Sequence, residues 1–264
     1  MEEVSLNEDA TAAPCELEEL DTKKKEDAWL DAYKKLMHKS INTFYALLAS
    51  KSWKPITNTF VDAKAVHPVL LFECDRNATH GFYTLKAQAV LAVRPERLMH
   101  VIRDHNPDTR LAWDNQYVKD CKEVDCLTTE EGDIKVVYTR VSTGIPLLAD
   151  RFNLGIAWYG YDDKTKSYKY VFRSTQHKMY TCPKEAVNVI SLAGVFIKTL
   201  EHPAGESGGS RFSELFIVIH TNPGNSFPTT IANGICKEWL RDRVRLYEKV
   251  AGQGWHQYYG NKKK

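Results

Sequence analysis

Residues 212–252 read FSELFIVIHTNPGNSFPTTIANGICKEWLRDRVRLYEKVAG, and their period changes midway. Up to Thr221 the stretch is rich in β-branched and aromatic residues, the composition of a strand. Asn222, Pro223, Gly224 and Asn225 then interrupt it. Beyond them Ile231, Ile235, Trp239, Leu240, Val244, Tyr247 and Ala251 fall on one face of a helix. Ser226 is a candidate N-cap, Pro228 is tolerated in the first turn, and Gly252 is a stop. At 1.5 Å per residue this helix is about 37 Å long, enough to cover a whole sheet face.

The segments before it supply the sheet. Residues 82–93 alternate: Tyr83, Leu85, Ala87, Ala89, Leu91 and Val93 face one way, Thr84, Lys86 and Gln88 the other. Residues 69–74 are a short apolar run. Further strands are expected at 116–127, 133–142, 151–161, 168–175 and 187–200. Turn residues join them, as in Glu131-Gly132-Asp133, Asp162-Asp163-Lys164 and 205–210. A short helix is expected over 95–105, with Pro95 in its first turn and Asn106-Pro107 ending it. Leu30, Tyr33, Met37, Ile41, Phe44 and Leu48 draw a further helical stripe that stops before Lys51. Consecutive strands with short turns make an antiparallel sheet, so the class is α+β. The division expected is a disordered acidic arm at 1–24, one domain at 25–252 and a basic tail at 253–264.

Charge narrows the partners. The chain has 264 residues, 36 Lys and Arg against 34 Asp and Glu, and a net charge of +2. Glu2, Glu3, Glu8, Asp9, Glu16, Glu18, Glu19 and Asp21 precede the first basic residue, Lys23. From Lys23 onward the chain therefore carries a net +10. That bias is too mild for a dedicated nucleic-acid binder and suits an anionic membrane surface. Residues 215–236 carry no formal charge, yet Pro223, Gly224, Pro228 and Gly234 deny them a spanning helix. The acidic start has no apolar signal core, and six scattered Cys without CxxC pairs are expected as free thiols. A cytoplasmic location follows as the expectation.

Catalytic signatures are missing: no GxSxG, no HExxH and no phosphate loop. The glycine-rich 205–210 stretch lacks the lysine a phosphate loop needs. His100 with Asp104, and Cys121 with Cys126, have no further partners at metal-ligand spacing, so neither a metal nor a cofactor is expected. His177, His202 and His220 read as hydrogen-bonded or surface histidines. What remains is geometry. A curved sheet gripped by a long helix either encloses a cavity for an apolar ligand or fills solidly, and periodicity does not separate the two.

Four segments resemble the START family, the steroidogenic-acute-regulatory-protein-related lipid transfer domains. Leu111-Ala112-Trp113-Asp114 is similar to the family's Trp-Asp segment. The stretch Ile145-Pro146-Leu147-Leu148-Ala149-Asp150-Arg151-Phe152 is similar to its Pro…Arg-Asp-Phe segment, with the acid and base exchanged. Phe172-Arg173-Ser174-Thr175-Gln176-His177 is similar to its Ser-x-x-His strand end. Asn222 to Pro228 are similar to the turn that begins its last helix. The position matching the strand arginine of sterol-binding members is Ile156.

The resemblance covers about residues 27–252 and implies a helix-grip fold: a curved antiparallel sheet wrapped around the long C-terminal helix, with an internal hydrophobic tunnel. It implies one lipid in that tunnel and transient contact with a membrane surface, by a monomeric, non-enzymatic protein that transfers, senses or presents the lipid. Ile145, Leu147, Leu148 and Phe152, with Ile231, Ile235 and Trp239 of the helix, are the expected gate and wall. Arg140, Arg173 and Glu214, charges set in apolar strands, are the candidates for the lipid head group. Lys237, Arg241, Arg243, Arg245 and Lys262 to Lys264 are expected to attract anionic lipid. Two other readings stand beside this one. One is a helix-grip enzyme, a cyclase or hydrolase, which needs a converging acid/base pair inside the tunnel, for example His177 with Glu214. The other is an interaction module with a filled core.

Overall fold

The computed structural model describes residues 22–56, 69–74, 82–129, 132–144, 148–177, 180–200, 212–224 and 228–260, with the backbone alone at 22–27. Its elements are α1 (Thr22–Leu48), β1 (Lys54–Pro55), β2 (Leu70–Cys74), β3 (Thr84–Leu91), α2 (Pro95–Ile102), α3 (Pro107–Asp114), β4 (Val118–Thr129), β5 (Gly132–Val141), β6 (Asp150–Asp162), β7 (Ser167–Ser174), β8 (Ala186–Asn188), β9 (Ile190–Leu200), β10 (Phe212–Asn222), α4 (Thr229–Ala251) and α5 (Trp255–Tyr258). The strands form one sheet in the order β1-β2-β3-β10-β9-β7-β6-β5-β4. The neighbours in that order pair antiparallel, while β8 pairs parallel with β6. The expected α+β helix-grip architecture is what the chain adopts.

Both faces of the sheet are buried. On the inner face Leu85, Ala87, Ala89 and Leu91 of β3 and Leu215, Ile217 and Ile219 of β10 pack with α2 and with Leu240, Val244 and Val250 of α4. On the outer face Phe152, Leu154 and Ile156 of β6, Val171 of β7 and Val218 of β10 pack under Tyr33, Met37 and Phe44 of α1. Strand residues alternate between these clusters because successive side chains point to opposite faces. Phe44 lies against β9 at Gly194, where a Cβ would stand 2.1 Å from its ring. Glycine there lets the helix sit close on the sheet.

The structure differs from the sequence expectation at three places. α2 stops at Ile102, short of the expected end at 105, and Asn106-Pro107 instead starts α3: Asn106 Oδ1 accepts the N–H groups of Asp108 and Thr109, at 2.9 and 3.3 Å, and Pro107 takes the first helical position. The expected strand 187–200 is divided, because Val189 N–H donates to the Phe152 carbonyl at 2.9 Å and aligns β8 with β6. Past Gly252 the chain turns into α5, and Trp255, Tyr258 and Tyr259 pack on the inner core. The arm as far as residue 21, the 205–210 turn, His202, the Ser226 cap and Lys262 to Lys264 lie outside the described residues.

Gly194→Ala is expected to lower unfolding stability by about 1–3 kcal/mol, the cost of overpacking. Urea unfolding measures it, and an unchanged midpoint would contradict the contact between α1 and β9.

Candidate ligand cavity

The inner face does not close solidly against α4. A cavity of about 670 Å³ lies between them, within the range of small-molecule and cofactor sites. Ile102 of α2, Tyr170 and Phe172 of β7, Val195 of β9, Ile217 and Ile219 of β10, and Ile235, Trp239 and Leu240 of α4 line it. Most of the wall is apolar. Polar residues interrupt it: Asp104, His105, Arg110 and Arg243 form a first grouping, Thr139, Arg151, Asn153, Ser191 and Thr221 a second, and Tyr117, Glu238 and Asp242 line it as well.

The first grouping anchors α4. Asp114 is 1% exposed at the end of α3. Its Oδ2 accepts from Arg110 Nε at 2.8 Å and from Arg243 Nη1 of α4. Both guanidiniums are buried, and Arg110 also lies over the Trp113 ring, 4.3 Å from its centroid. Trp113 Nε1 donates to Tyr259 Oη at 3.0 Å, and that hydroxyl donates to Asp104 Oδ2 at 2.7 Å. A buried charge persists only when paired and hydrogen-bonded, which ties α3, α4 and the α5 region to one another.

The hold on α4 is uneven along its length. Leu240, Arg243, Val244, Tyr247, Val250 and Ala251 of its second half are buried, whereas Ala232 alone is buried in its first half. Ile231 lines the cavity yet is 50% exposed. A Cβ built on Gly234 would meet nothing within 4 Å. Pro228, at the N-cap, gives no side-chain cap. The first half is held at its flank, where Asn233 Oδ1 accepts from the Tyr83 N–H at 3.1 Å and Lys237 Nζ reaches Glu73 at 2.6 Å.

Of the residues expected at the site, Ile231, Ile235 and Trp239 line the cavity. Ile145 and Leu147 lie outside the described residues. Leu148 is half-buried and is not part of the lining, although Ser142 and Thr143, which lead into the same connection, are. Arg140, Phe152, Arg173 and Glu214 all sit on the outer parity of their strands. Arg140 Nε pairs with Asp150 at 2.8 Å and its Nη1 with Glu185 at 2.9 Å. Glu214 accepts from Gln88 Nε2 at 3.0 Å. Arg173 shares its face with Val171, while Tyr170 and Phe172 turn into the cavity. The head-group expectation for these three charges is therefore corrected: each is one residue off the parity that faces the cavity. Ile156 lies on the outer face too, within the α1 cluster.

The inward residues of β6 are Arg151, Asn153 and Ala157. The only β6 residue expected at the site, Phe152, packs under α1 instead. The usable signal was the two-residue alternation itself.

Other expectations resolve locally. Cys74, Cys121, Cys126, Cys182 and Cys236 are free thiols. Among the described residues no group of three His, Cys, Asp or Glu could hold a metal, and no helix is long and apolar enough to cross a membrane. His177 Nε2 lies 3.9 Å from Asp125 and His220 Nδ1 is 2.8 Å from Thr84 Oγ1. His177 and Glu214 do not meet in the cavity. On α4, Lys237 pairs with Glu73, Arg241 with Glu238, Arg243 with Asp114, and Arg245 with Glu248. Their charge is thus largely met within the fold.

Two outcomes are expected. Asp114→Asn leaves two buried guanidiniums without their carboxylate and is expected to cost about 3–5 kcal/mol by chemical denaturation; a loss under 1 kcal/mol would contradict the buried network. Burial, reinforced by the Arg110 guanidinium, pushes the His105 imidazole down to about 4. The unfolded imidazole takes up a proton near pH 6.5 and the folded one does not, so stability falls as pH drops from about 6.5 toward 4. His105→Gln is expected to flatten that slope in thermal unfolding followed against pH, and an identical slope would refute the shift.

This geometry has counterparts among solved structures. Human StAR-related lipid transfer protein 5 superposes with a TM-score of 0.67 and 11% identity over 86% of this chain and 99% of that one. Human STARD10 gives 0.64 and 16% over 83% and 81%. The STAR-related lipid transfer protein (fragment 25-204) from Xanthomonas axonopodis gives 0.55 and 13% over 76% and 99%. No family model matches the chain, and no curated protein matches it. At these identities the likeness is one of fold, and the fold is the START-like helix grip.

Proposed function

We propose that this chain is a non-enzymatic lipid carrier that holds one lipid in the cavity beneath α4 and moves or presents it between membranes. The observation that carries this reading is the largely apolar 670 Å³ cavity under a helix anchored firmly along only half its length. Apolar surface moved from water into such a space is stabilised by about 25 cal/mol per Å², enough to extract a lipid chain. The first half of α4 serves as the gate. It shifts between a shut state in water and an open state at a bilayer, as a population already in exchange. Ile231, exposed at the cavity wall, is the side chain that meets the bilayer first. The protein works as a cytoplasmic monomer that touches membranes transiently and binds no nucleic acid. Carriage is favoured over catalysis because the wall is mostly apolar, His177 and Glu214 lie outside it, and the His105 and Asp104 that do line it are engaged by the Arg103 carbonyl and the Tyr259 hydroxyl. An interaction module with a solid core has no use for the open volume.

Gly234→Phe tests the reading. It adds a ring at a cavity-lining position where a Cβ meets nothing within 4 Å, and replacing glycine in a helix interior by phenylalanine gains a few tenths of a kcal/mol, about 0.5 at most. Transfer of fluorescent phospholipid between vesicles is expected to fall severalfold while the unfolding midpoint holds or rises. Undiminished transfer by the folded variant would exclude the cavity as the carrier site.

A further inference from the structure

The basic residues of α4 are met by carboxylates of the fold, and those of α2 are not. Leu98, Met99, Val101 and Ile102 turn α2 inward, which leaves its charged residues on the outer side. Arg94 and Arg103, at its two ends, are exposed, and Arg97 between them is half-buried. Among the described residues no carboxylate forms an ion pair with any of the three. The acidic residues nearest them in sequence, Glu96 and Asp104, accept instead from the Tyr168 and Tyr259 hydroxyls, at 3.2 and 2.7 Å.

Aromatic rings flank these arginines on both sides. Arg97 lies over the Trp255 ring, 5.0 Å from its centroid, and Arg103 over the Tyr159 ring, at 4.4 Å. Trp255 stacks on Tyr259, with centroids 4.9 Å apart. Tyr168 packs against both Tyr159 and Tyr161, and Tyr161 is 44% exposed. A cation held by a ring face keeps its N–H donors for another partner. Guanidinium groups set among amphipathic rings match the boundary of a bilayer with negative head groups, where rings sit at head-group level and cations meet the lipid charge. Lys262, Lys263 and Lys264, which follow α5 in sequence, carry the same sign.

Resting on the lipid-carrier reading, which requires contact with a bilayer, we infer that the exposed side of α2, between Trp255 and Tyr161, is the docking surface for an anionic bilayer. Its attraction reaches across about 8 Å of water at physiological salt, so it acts before Ile231 makes contact. The surface also belongs to the fixed part of the fold. Arg110 Nη1 donates to the Asp104 carbonyl at 3.3 Å, and its Nε to the Asp114 that anchors α4. A bilayer held there grips the anchored half of α4 and leaves the gate half free to move.

The test is co-sedimentation of the full chain with vesicles of dioleoylphosphatidylcholine alone, or of equal parts dioleoylphosphatidylcholine and dioleoylphosphatidylserine. The wild-type chain is expected to prefer the phosphatidylserine vesicles by about tenfold or more and to lose that preference at high salt. Each arginine close to a charged surface strengthens binding about fivefold, so joint replacement Arg94→Gln, Arg97→Gln and Arg103→Gln is expected to cut the preference by about tenfold or more. Replacing the same three by Lys keeps most of it. Lys119→Gln, Lys122→Gln and Lys198→Gln remove an equal charge from exposed positions on β4 and β9, and are expected to change it by less than about twofold. An equal loss in that lysine variant would assign binding to net charge and overturn the docking surface. A wild-type chain without preference overturns it too; a synthetic peptide of residues 1–21 that then binds the wild-type chain but not the arginine variant would give the surface to the chain's own acidic arm. A preference unmoved by the arginine variant overturns the surface and leaves lipid carriage standing. Docking as expected with no lipid transfer overturns carriage and leaves the surface standing.

Discussion

Asp114 stands between two arginines at a point where water has almost no access. Much of the architecture around the cavity follows from that requirement. The carboxylate belongs to α3, one guanidinium to the same helix, and the other to α4. Their mutual need holds the second half of α4 against the sheet. Trp113 and Tyr259 extend the tie to the end of the chain. The first half of α4 has no such anchor. It is held by partly buried bonds to Tyr83 and Glu73. The proposed gate rests on that difference between the two halves of the helix.

The sheet supplies the second constraint. It is buried on both faces, so each strand has to satisfy two neighbours at once. Large apolar residues of β6 go outward to α1, where a solid core is wanted. Smaller and polar residues of the same strand, Asn153 and Ala157 among them, go inward. The cavity is thus a consequence of which side chains the strand withholds from the inner face. Gly194 works in the same direction on the outer face, letting α1 close tightly there while the inner face stays open.

Much of the fold was legible in the chain. The helical stripe from Ile231 to Ala251, the alternation at 82–93 and the antiparallel order follow from period and turn chemistry alone. Asn106-Pro107 was read as a stop because a proline ends helices, and its equal fitness as a start needed the neighbouring Asp108 and Thr109 amides to show itself. The site was legible only in part. Helical period placed Ile231, Ile235 and Trp239 on the face that lines the cavity. Strand period left a twofold ambiguity, because a strand with both faces buried offers no polar side to orient it. Arg140, Arg173 and Glu214 fall on the outer side of the sheet, away from the cavity. Tertiary packing under α1, which no local pattern encodes, is what resolves it.

The central claim is that the space beneath α4 exists to be filled by one lipid molecule. Native mass spectrometry of the full chain, after incubation with phospholipid vesicles and removal of the vesicles, addresses it most directly. The account predicts a single added mass equal to one lipid, absent from a Gly234→Phe variant that remains folded. A chain that returns from the vesicles at its bare mass, or that carries the same lipid after the cavity is plugged, would contradict it.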